Sequence, residues 1–196
     1  MHITPPVALH SARLTLRALD ARDAPALFAL YADAAVMRYW NHARWTTIAE
    51  AHAAIDEAQA DYASGASAHY AIVRKADGLL LGSCALYACA PEHRSASIGY
   101  LLAQAHWGRG FASEAVRTLL ADAFGARALR RIEAEVNAAN AASAKALRAL
   151  GFQQEADLFG HWIVGGQKID TQSFALLRDD WLVRTRTTHD RDRGAR

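Results

Sequence analysis

Gln104-Ala105-His106-Trp107-Gly108-Arg109-Gly110-Phe111-Ala112-Ser113 lies between a strand-like run at 95–102 and a helix-like run from about Ser113 to Gly125. Two glycines one residue apart, placed where a helix opens, leave backbone N–H groups unpaired in the positive field of the helix start. Glycine also lets an anion approach that backbone closely. The stretch therefore predicts a cradle for a phosphate-bearing cofactor. In the helix that follows, Ala115, Val116, Leu119, Leu120 and Phe124 recur at helical spacing and form its inner face.

Upstream, Arg13 to Ala18 alternates polar and apolar residues as an opening strand. Asp20 is placed to cap a helix running to about Asp33, with Leu27, Leu30 and Tyr31 on its buried stripe. Thr47 and Glu50 form a capping box for a second helix at about 48–63. Strands at about 69–75 and 79–88 share the turn Ala76-Asp77-Gly78. Downstream, Arg130 to Val136 reads as a strand with Ile132, Ala134 and Val136 on one side. Asn140 to Leu150 is a short helix that Gly151 stops, and strands at about 152–158 and 167–177 flank a turn at Gly165-Gly166. Hairpins come first and one strand–helix–strand–helix–strand passage follows. That order implies an α/β (α+β) domain, a single mixed sheet with helices on both faces.

The chain has 196 residues, 52% hydrophobic and 21% charged, which suits one domain with a full core. We expect this domain to span residues 1–182. The remainder, 183–196, is basic, polar and without periodicity, and is expected to be a disordered, solvated tail; docking on an acidic partner such as ribosomal RNA is the alternative. No apolar run approaches membrane-spanning length, and Met1-His2-Ile3-Thr4-Pro5-Pro6 lacks a signal pattern, so the expectation is a cytoplasmic protein without membrane contact. Cys84 and Cys89 supply neither a disulfide framework nor a four-cysteine zinc site, in keeping with a reduced compartment. No pair of the nine histidines has ligand-like spacing on one element, so no metal is expected. A net charge of +2 is too small to argue for nucleic acid, and no direct DNA binding is expected.

A Walker loop needs Gly-Lys followed by Ser or Thr, which this stretch lacks. The dinucleotide fingerprint comes closer, with Gly108-x-Gly110 after a strand and Glu133 at a ribose-binding distance downstream. Ser113, however, occupies the place of its third glycine, and the motif arrives mid-chain behind hairpins. Trp107-Gly108-Arg109-Gly110-Phe111-Ala112 instead resembles the acetyl-CoA pyrophosphate loop of the GNAT superfamily of N-acetyltransferases. Ile98-Gly99-Tyr100-Leu101 before it is similar too. So are Asn137-x-x-Asn140-x-x-Ser143, Leu150-Gly151-Phe152, and the ending Asp170…Phe174-Ala175-Leu176-Leu177…Asp180-Trp181. Over residues 10–182 the pattern looks like the branch that acetylates ribosomal-protein N-termini, the RimJ/RimL type.

The resemblance implies the acyl-CoA N-acyltransferase fold, a mainly antiparallel sheet whose two central strands splay apart. It implies acetyl-CoA as co-substrate, held by Trp107, Gly108, Arg109, Gly110, Phe111 and Ala112, with the pantetheine arm between 97–102 and 131–137. Asn137 and Asn140 belong to the same cofactor-binding set. Asn140 would bond the pantetheine amides, although Asn at a helix start is also an ordinary N-cap. A backbone N–H near Leu101 would face the thioester carbonyl. Ser143 is the implied proton or hydrogen-bond donor to the departing thiolate; its plainer role is a small residue packing near the helix start.

The segment 36–46 and the last hairpin border the implied acceptor site, which makes Tyr39, Trp40, Trp45 and His161, with Trp162, its candidate walls. The same aromatics could instead cap the core edge. Ser97 departs from the pattern, since many relatives carry a glutamate there as general base, and serine cannot serve at neutral pH. Glu92, His93, His161, Glu133 and Glu135 are the candidates left, each equally readable as a solvated surface group. An α-amine has a pKa of about 7.7–8.0 and needs less help from a base than a lysine. The implied activity is acetyl transfer by direct attack of a primary amine, first a protein N-terminus of the ribosomal type. A small-molecule amine or antibiotic is the alternative acceptor, and a non-catalytic acyl-CoA-sensing or ribosome-associated module the alternative class. Both monomer and homodimer stay open.

Overall fold

The computed structural model describes residues 7–193. Its eight strands form one sheet in the order β1-β2-β3-β4-β5-β6-β8-β7. They are β1 (Leu9–His10), β2 (Leu14–Ala18), β3 (Ala68–Arg74), β4 (Leu80–Ala90), β5 (Ser95–Leu102), β6 (Arg131–Asn137), β7 (Gln153–Val164) and β8 (Gln167–Leu177). The helices are α1 (Ala24–Ala32), α2 (Ala34–Met37), α3 (Ile48–Ser64), α4 (Phe111–Phe124), α5 (Ala141–Leu150) and α6 (Arg178–Arg193).

Every neighbouring pair is antiparallel except β5 and β6, which run parallel. That parallel pairing covers only Ser95–Ser97 against Arg131–Glu133. Beyond it, β5 stays on β4 as far as Leu102, while β6 stays on β8 as far as Asn137. The two strands thus part in the middle of the sheet. Gly82 on β4 has a direct bearing on this bend. A Cβ there would lie 2.1 Å from the Leu101 carbonyl oxygen and 2.8 Å from the Leu102 Cα, so only glycine lets β5 lean so closely onto β4.

The sheet separates two cores. On one face Ala115, Val116, Leu119 and Leu120 of α4, with Leu147 and Leu150 of α5 and Trp181 of α6, pack on Leu14, Ile72, Ile98 and Ile132. On the other, Leu27 and Leu30 of α1, Val36 of α2 and Ala51, Ile55 and Tyr62 of α3 pack on Ala71 and Leu101. Each large apolar side chain fully removed from water contributes about 1.5–3 kcal/mol.

Several elements differ from the sequence expectations. Asp20 caps a short 3-10 turn, Ala21–Asp23, and α1 starts only at Ala24, with Pro25 in its first turn. Asp33 ends α1 and then caps α2, accepting from the Ala35 N–H at 2.7 Å. α4 begins two residues earlier than expected, because Gly110 turns left-handed (φ +76) and Phe111 is already buried. β7 runs six residues past its expected end at 158. Gly160 forms a left-handed kink (φ +59) between shifted registers rather than a stop, and its N–H donates to the Asp170 carboxylate at 2.7 Å. The tail expected to be disordered is helical backbone as far as Arg193, continuing α6 from Trp181, whose side chain anchors it in the core; residues 194–196 lie outside the described residues.

Candidate active site

Where β5 and β6 part, a cavity of about 610 Å³ opens through the sheet. Ile98 to Leu101 border it on one side and Ala134 to Asn137 on the other, with α5 closing one end and the α1–α3 layer the other. Paired residues on neighbouring strands share a face and successive residues alternate faces. Tyr100 therefore looks toward α4 and α5, whereas Ser97, Gly99, Leu101, Glu133 and Glu135 belong to the face covered by α1–α3.

On the α5 side the Tyr100 and Ser143 hydroxyls are 2.9 Å apart. Burial pushes the Tyr100 phenol above its ordinary range, and the bond to Ser143 offsets this only in part, so the phenol stays protonated at neutral pH. The Asn140 side-chain oxygen accepts from the Ser143 N–H at 3.1 Å and caps α5. Its amide nitrogen has no protein partner among the described residues, and Asn140 lines the cavity. Asn137 lines it as well and accepts from the Ala139 N–H at 2.9 Å. The cap expected of Asn140 and its place on the cavity wall thus coexist.

The glycine loop lies outside the cavity, at the start of the 14-residue helix α4. Gly108 and Gly110 are both left-handed (φ +71 and +76), and a Cβ on Gly108 would meet nothing within 4 Å. The loop is pinned at both ends. Trp107, 47% exposed, donates its indole N–H to the Leu102 carbonyl at 2.8 Å. Arg13 of the β1–β2 turn donates to the Arg109 carbonyl at 3.1 Å, and its guanidinium lies 4.4 Å from the centroid of the Phe111 ring. Glu114 holds Arg13 in turn at 2.6 Å and also accepts from Ser11 at 2.7 Å. Burial of the Glu114 carboxyl opposes ionisation, yet the bonds from Ser11 and Arg13 prevail and hold it below the usual carboxylate range. The Ala112 side chain packs against the α4 core. Open backbone, a long helix start and a nearby guanidinium are a donor set that fits a diphosphate.

On the α1–α3 side Tyr31 lies between Trp45, stacked at 4.2 Å, and His42, stacked at 5.9 Å, with Trp40 edge-on at 6.3 Å. The Tyr31 hydroxyl meets the Ser83 hydroxyl at 3.3 Å. Trp40 covers Gly99, where a Cβ would sit 3.7 Å from the indole. Tyr39, Trp40 and Trp45 all line the cavity, and Trp40 and Trp45 also pack against the α1–α3 core. His161 does not line the cavity; its Nε2 stands 3.3 Å from the Glu135 carboxylate. Trp162 does line it and donates to Glu135 at 3.0 Å.

Sequence reasoning gave Tyr31 only a core place and gave Tyr100 no role. The alternation Ile98-Tyr100-Leu102 was the available signal for Tyr100, since it puts a hydroxyl on the face toward Ser143. Among the base candidates, Glu92 and His93 pair with one another at 3.8 Å and are not part of the cavity wall. Glu133 is held by Arg131 at 2.7 Å. Cys84 reaches the wall, but burial pushes its thiol up to about 12, so it is no nucleophile at neutral pH. The lining includes Glu50, Glu57 and Glu135 and no Lys or Arg. Among the described residues no group of three or more His, Cys, Asp or Glu is placed to hold a metal ion, and no helix is long and apolar enough to cross a membrane.

Residues 13–153 match the family model described as the acetyltransferase (GNAT) domain, and the chain belongs to that family. The chain is an N-acetyltransferase with the acyl-CoA N-acyltransferase fold. It is 35% identical over 173 residues to an uncharacterized N-acetyltransferase, p20, from Bacillus licheniformis, covering 88% of this chain and 97% of that protein. Solved structures that share its fold include two that hold a CoA species. One is Mycobacterium smegmatis RimJ in complex with CoA-disulfide (TM-score 0.84, 24% identity, 92% of this chain and 91% of the other). The other is spermidine N-acetyltransferase from Vibrio cholerae in complex with CoA and spermine (TM-score 0.79, 24% identity, 88% and 99%).

Proposed function

We propose that this N-acetyltransferase moves the acetyl group of acetyl-CoA to the α-amine of a protein N-terminus, of the ribosomal-protein type, by direct attack. One observation carries the reading. The cavity through the splayed sheet has a paired hydroxyl donor, Ser143 with Tyr100, on one face and an aromatic wall on the other. In this reading residues 107–112 take the diphosphate against the start of α4. The pantetheine arm lies between β5 and β6, bonded by Asn137 and Asn140. Residues 1–182 do the work, with 183–196 as a basic extension.

The chemistry follows from these positions. The neutral amine attacks the thioester carbon while the backbone N–H at Leu101 holds the developing oxyanion, a contact that strengthens as charge builds. The carbon–sulfur bond then breaks and Ser143 gives its proton to the thiolate. Tyr100 supplies Ser143 in turn, because burial keeps its phenol protonated. Tyr39, Trp40, Trp45 and His161 border the acceptor. The resemblance of residues 10–182 to the RimJ/RimL branch supports a chain terminus as acceptor.

A second reading, a small polyamine, has its own support. The wall carries three carboxylates and neither Lys nor Arg, and one fold relative is a spermidine N-acetyltransferase. Turnover of acetyl-CoA on peptides bearing ribosomal-protein N-termini, on the same peptides with blocked α-amines, and on polyamines separates the two. Acetylation confined to free α-amines supports the first; acetylation of polyamines alone overturns it in favour of the second.

A further inference from the structure

We propose that Glu135 takes the proton from the acceptor amine, filling on β6 the role left open by Ser97 on β5. The inference rests on the acetyltransferase reading above and adds its missing base. Ser97 is the last residue of β5 paired with β6, and its partner is Glu133. Paired residues stand on the same face, and alternation places Glu135 on that face one step further along, where β6 has already left β5. Glu133 itself is tied to Arg131 at 2.7 Å, a guanidinium it shares with Glu155. Among the described residues no Arg or Lys pairs with Glu135, which lines the cavity.

The surroundings of Glu135 aim it. From β7, Trp162 donates to its carboxylate at 3.0 Å and His161 stands 3.3 Å away. From β4, Tyr87 is near enough for the charge to be felt: burial raises the Tyr87 phenol and the Glu135 charge raises it further, so Tyr87 stays protonated. Across the ladder on β8 its partner is Ser173. The other acids of the wall are differently placed. Glu50 accepts the N–H groups of Thr46 and Thr47 at 2.7 and 2.9 Å, and Glu57 sits on α3 within electrostatic reach of His69.

Glu135 and the Ser143–Tyr100 pair thus lie on opposite faces of the gap. At a tetrahedral carbon the attacking nitrogen and the departing sulfur also lie on different sides. The protons balance. R–NH₃⁺ gives one proton to the Glu135 carboxylate, which releases it to solvent past the partly exposed His161. The neutral nitrogen forms the C–N bond and the C–S bond breaks. Ser143 gives its proton to the thiolate, and the proton lost by the new amide nitrogen restores the hydroxyl pair.

The test is the pH profile of Glu135→Gln with a saturating amount of acetyl-CoA. At pH 7 we expect kcat/KM for the amine to fall about 10²-fold, with KM for acetyl-CoA unchanged. The deficit should shrink as pH rises past the amine's own pKa, about 7.7–8.0 for an α-amine, because a neutral amine needs no base. Glu135→Asp should keep the wild-type profile with a smaller loss. A deficit that is the same at every pH, or a rate equal to wild type at pH 7, overturns the proposal. A CoA-induced rise in melting temperature equal to that of wild type certifies the fold of the variant; if Glu135→Gln fails that control, the profile of Glu135→Asp decides by the same criteria. Absence of transfer by the wild-type protein on any amine at any pH would overturn the acetyltransferase reading instead, so the two failures are distinct.

Discussion

The hydroxyls of Tyr100 and Ser143 approach to 2.9 Å although one belongs to a central strand and the other to the first turn of a helix 43 residues further along the chain. The contact joins β5 to α5 across the end of the gap where the thioester sulfur is expected. If the pair acts as one donor, Ser143→Ala should lower kcat by about 10²-fold or more while leaving the Kd for acetyl-CoA nearly intact. Tyr100→Phe should lower it less, and the double variant should be no worse than Ser143→Ala alone, since members of one unit are not additive. Additive losses in steady-state kinetics would show two independent roles.

Arg13 is placed to set the shape of the glycine loop at 107–112. It donates to the Arg109 carbonyl, covers Phe111 and is held by Glu114. Arg13→Ala should weaken acetyl-CoA binding by about tenfold, or about 1.4 kcal/mol, with kcat at saturation unchanged. Calorimetry reads the first quantity and initial rates the second. An unaltered Kd would mean that the loop keeps its shape without Arg13.

Gly82 tests the origin of the gap. A methyl group there meets the Leu101 carbonyl at 2.1 Å, and backbone cannot move aside as a side chain can. Gly82→Ala should destabilise the protein by about 1–3 kcal/mol in urea unfolding and reduce the melting shift produced by acetyl-CoA. Unchanged stability would show that β5 leans on β4 for another reason.

Trp45 stacks on Tyr31 at 4.2 Å and walls the α1–α3 side of the cavity. Trp45→Ala should raise KM for the amine by about tenfold and leave KM for acetyl-CoA near the wild-type value, the pattern of lost uniform binding. Equal changes in both constants would point to a general loosening of the α1–α3 layer.

The parts of this fold legible in the sequence are those set by short-range chemistry. Gly108 and Gly110 mark an open loop at a helix start, Asn140 a helix cap, and Gly165-Gly166 a turn between strands, and each depends on conformations within a few residues. The close approach of β5 to β4 at Gly82 depends instead on a contact with Leu101 across a ladder, and single glycines in strands carry several meanings. Tyr100 escaped notice because its partner is 43 residues away. The end of β7 is not marked because apolar Phe159 and Ile163 stand on its exposed face while Trp162 and Val164 are half-buried, so polarity does not follow the alternation. Asp20 has the chemistry of a cap, but Pro25 and the return bond from Asp23 restrict it to a 3-10 turn.

The account stands most directly on amine-dependent release of free CoA thiol from acetyl-CoA, followed for the wild-type protein and for Ser143→Ala. It predicts turnover that appears only when a primary amine is added, yields the N-acetylated amine in equal amount, and falls by about 10²-fold in the variant while acetyl-CoA still raises the melting temperature of both proteins. Acetyl-CoA binding without amine-dependent thiol release from the wild-type protein would contradict it.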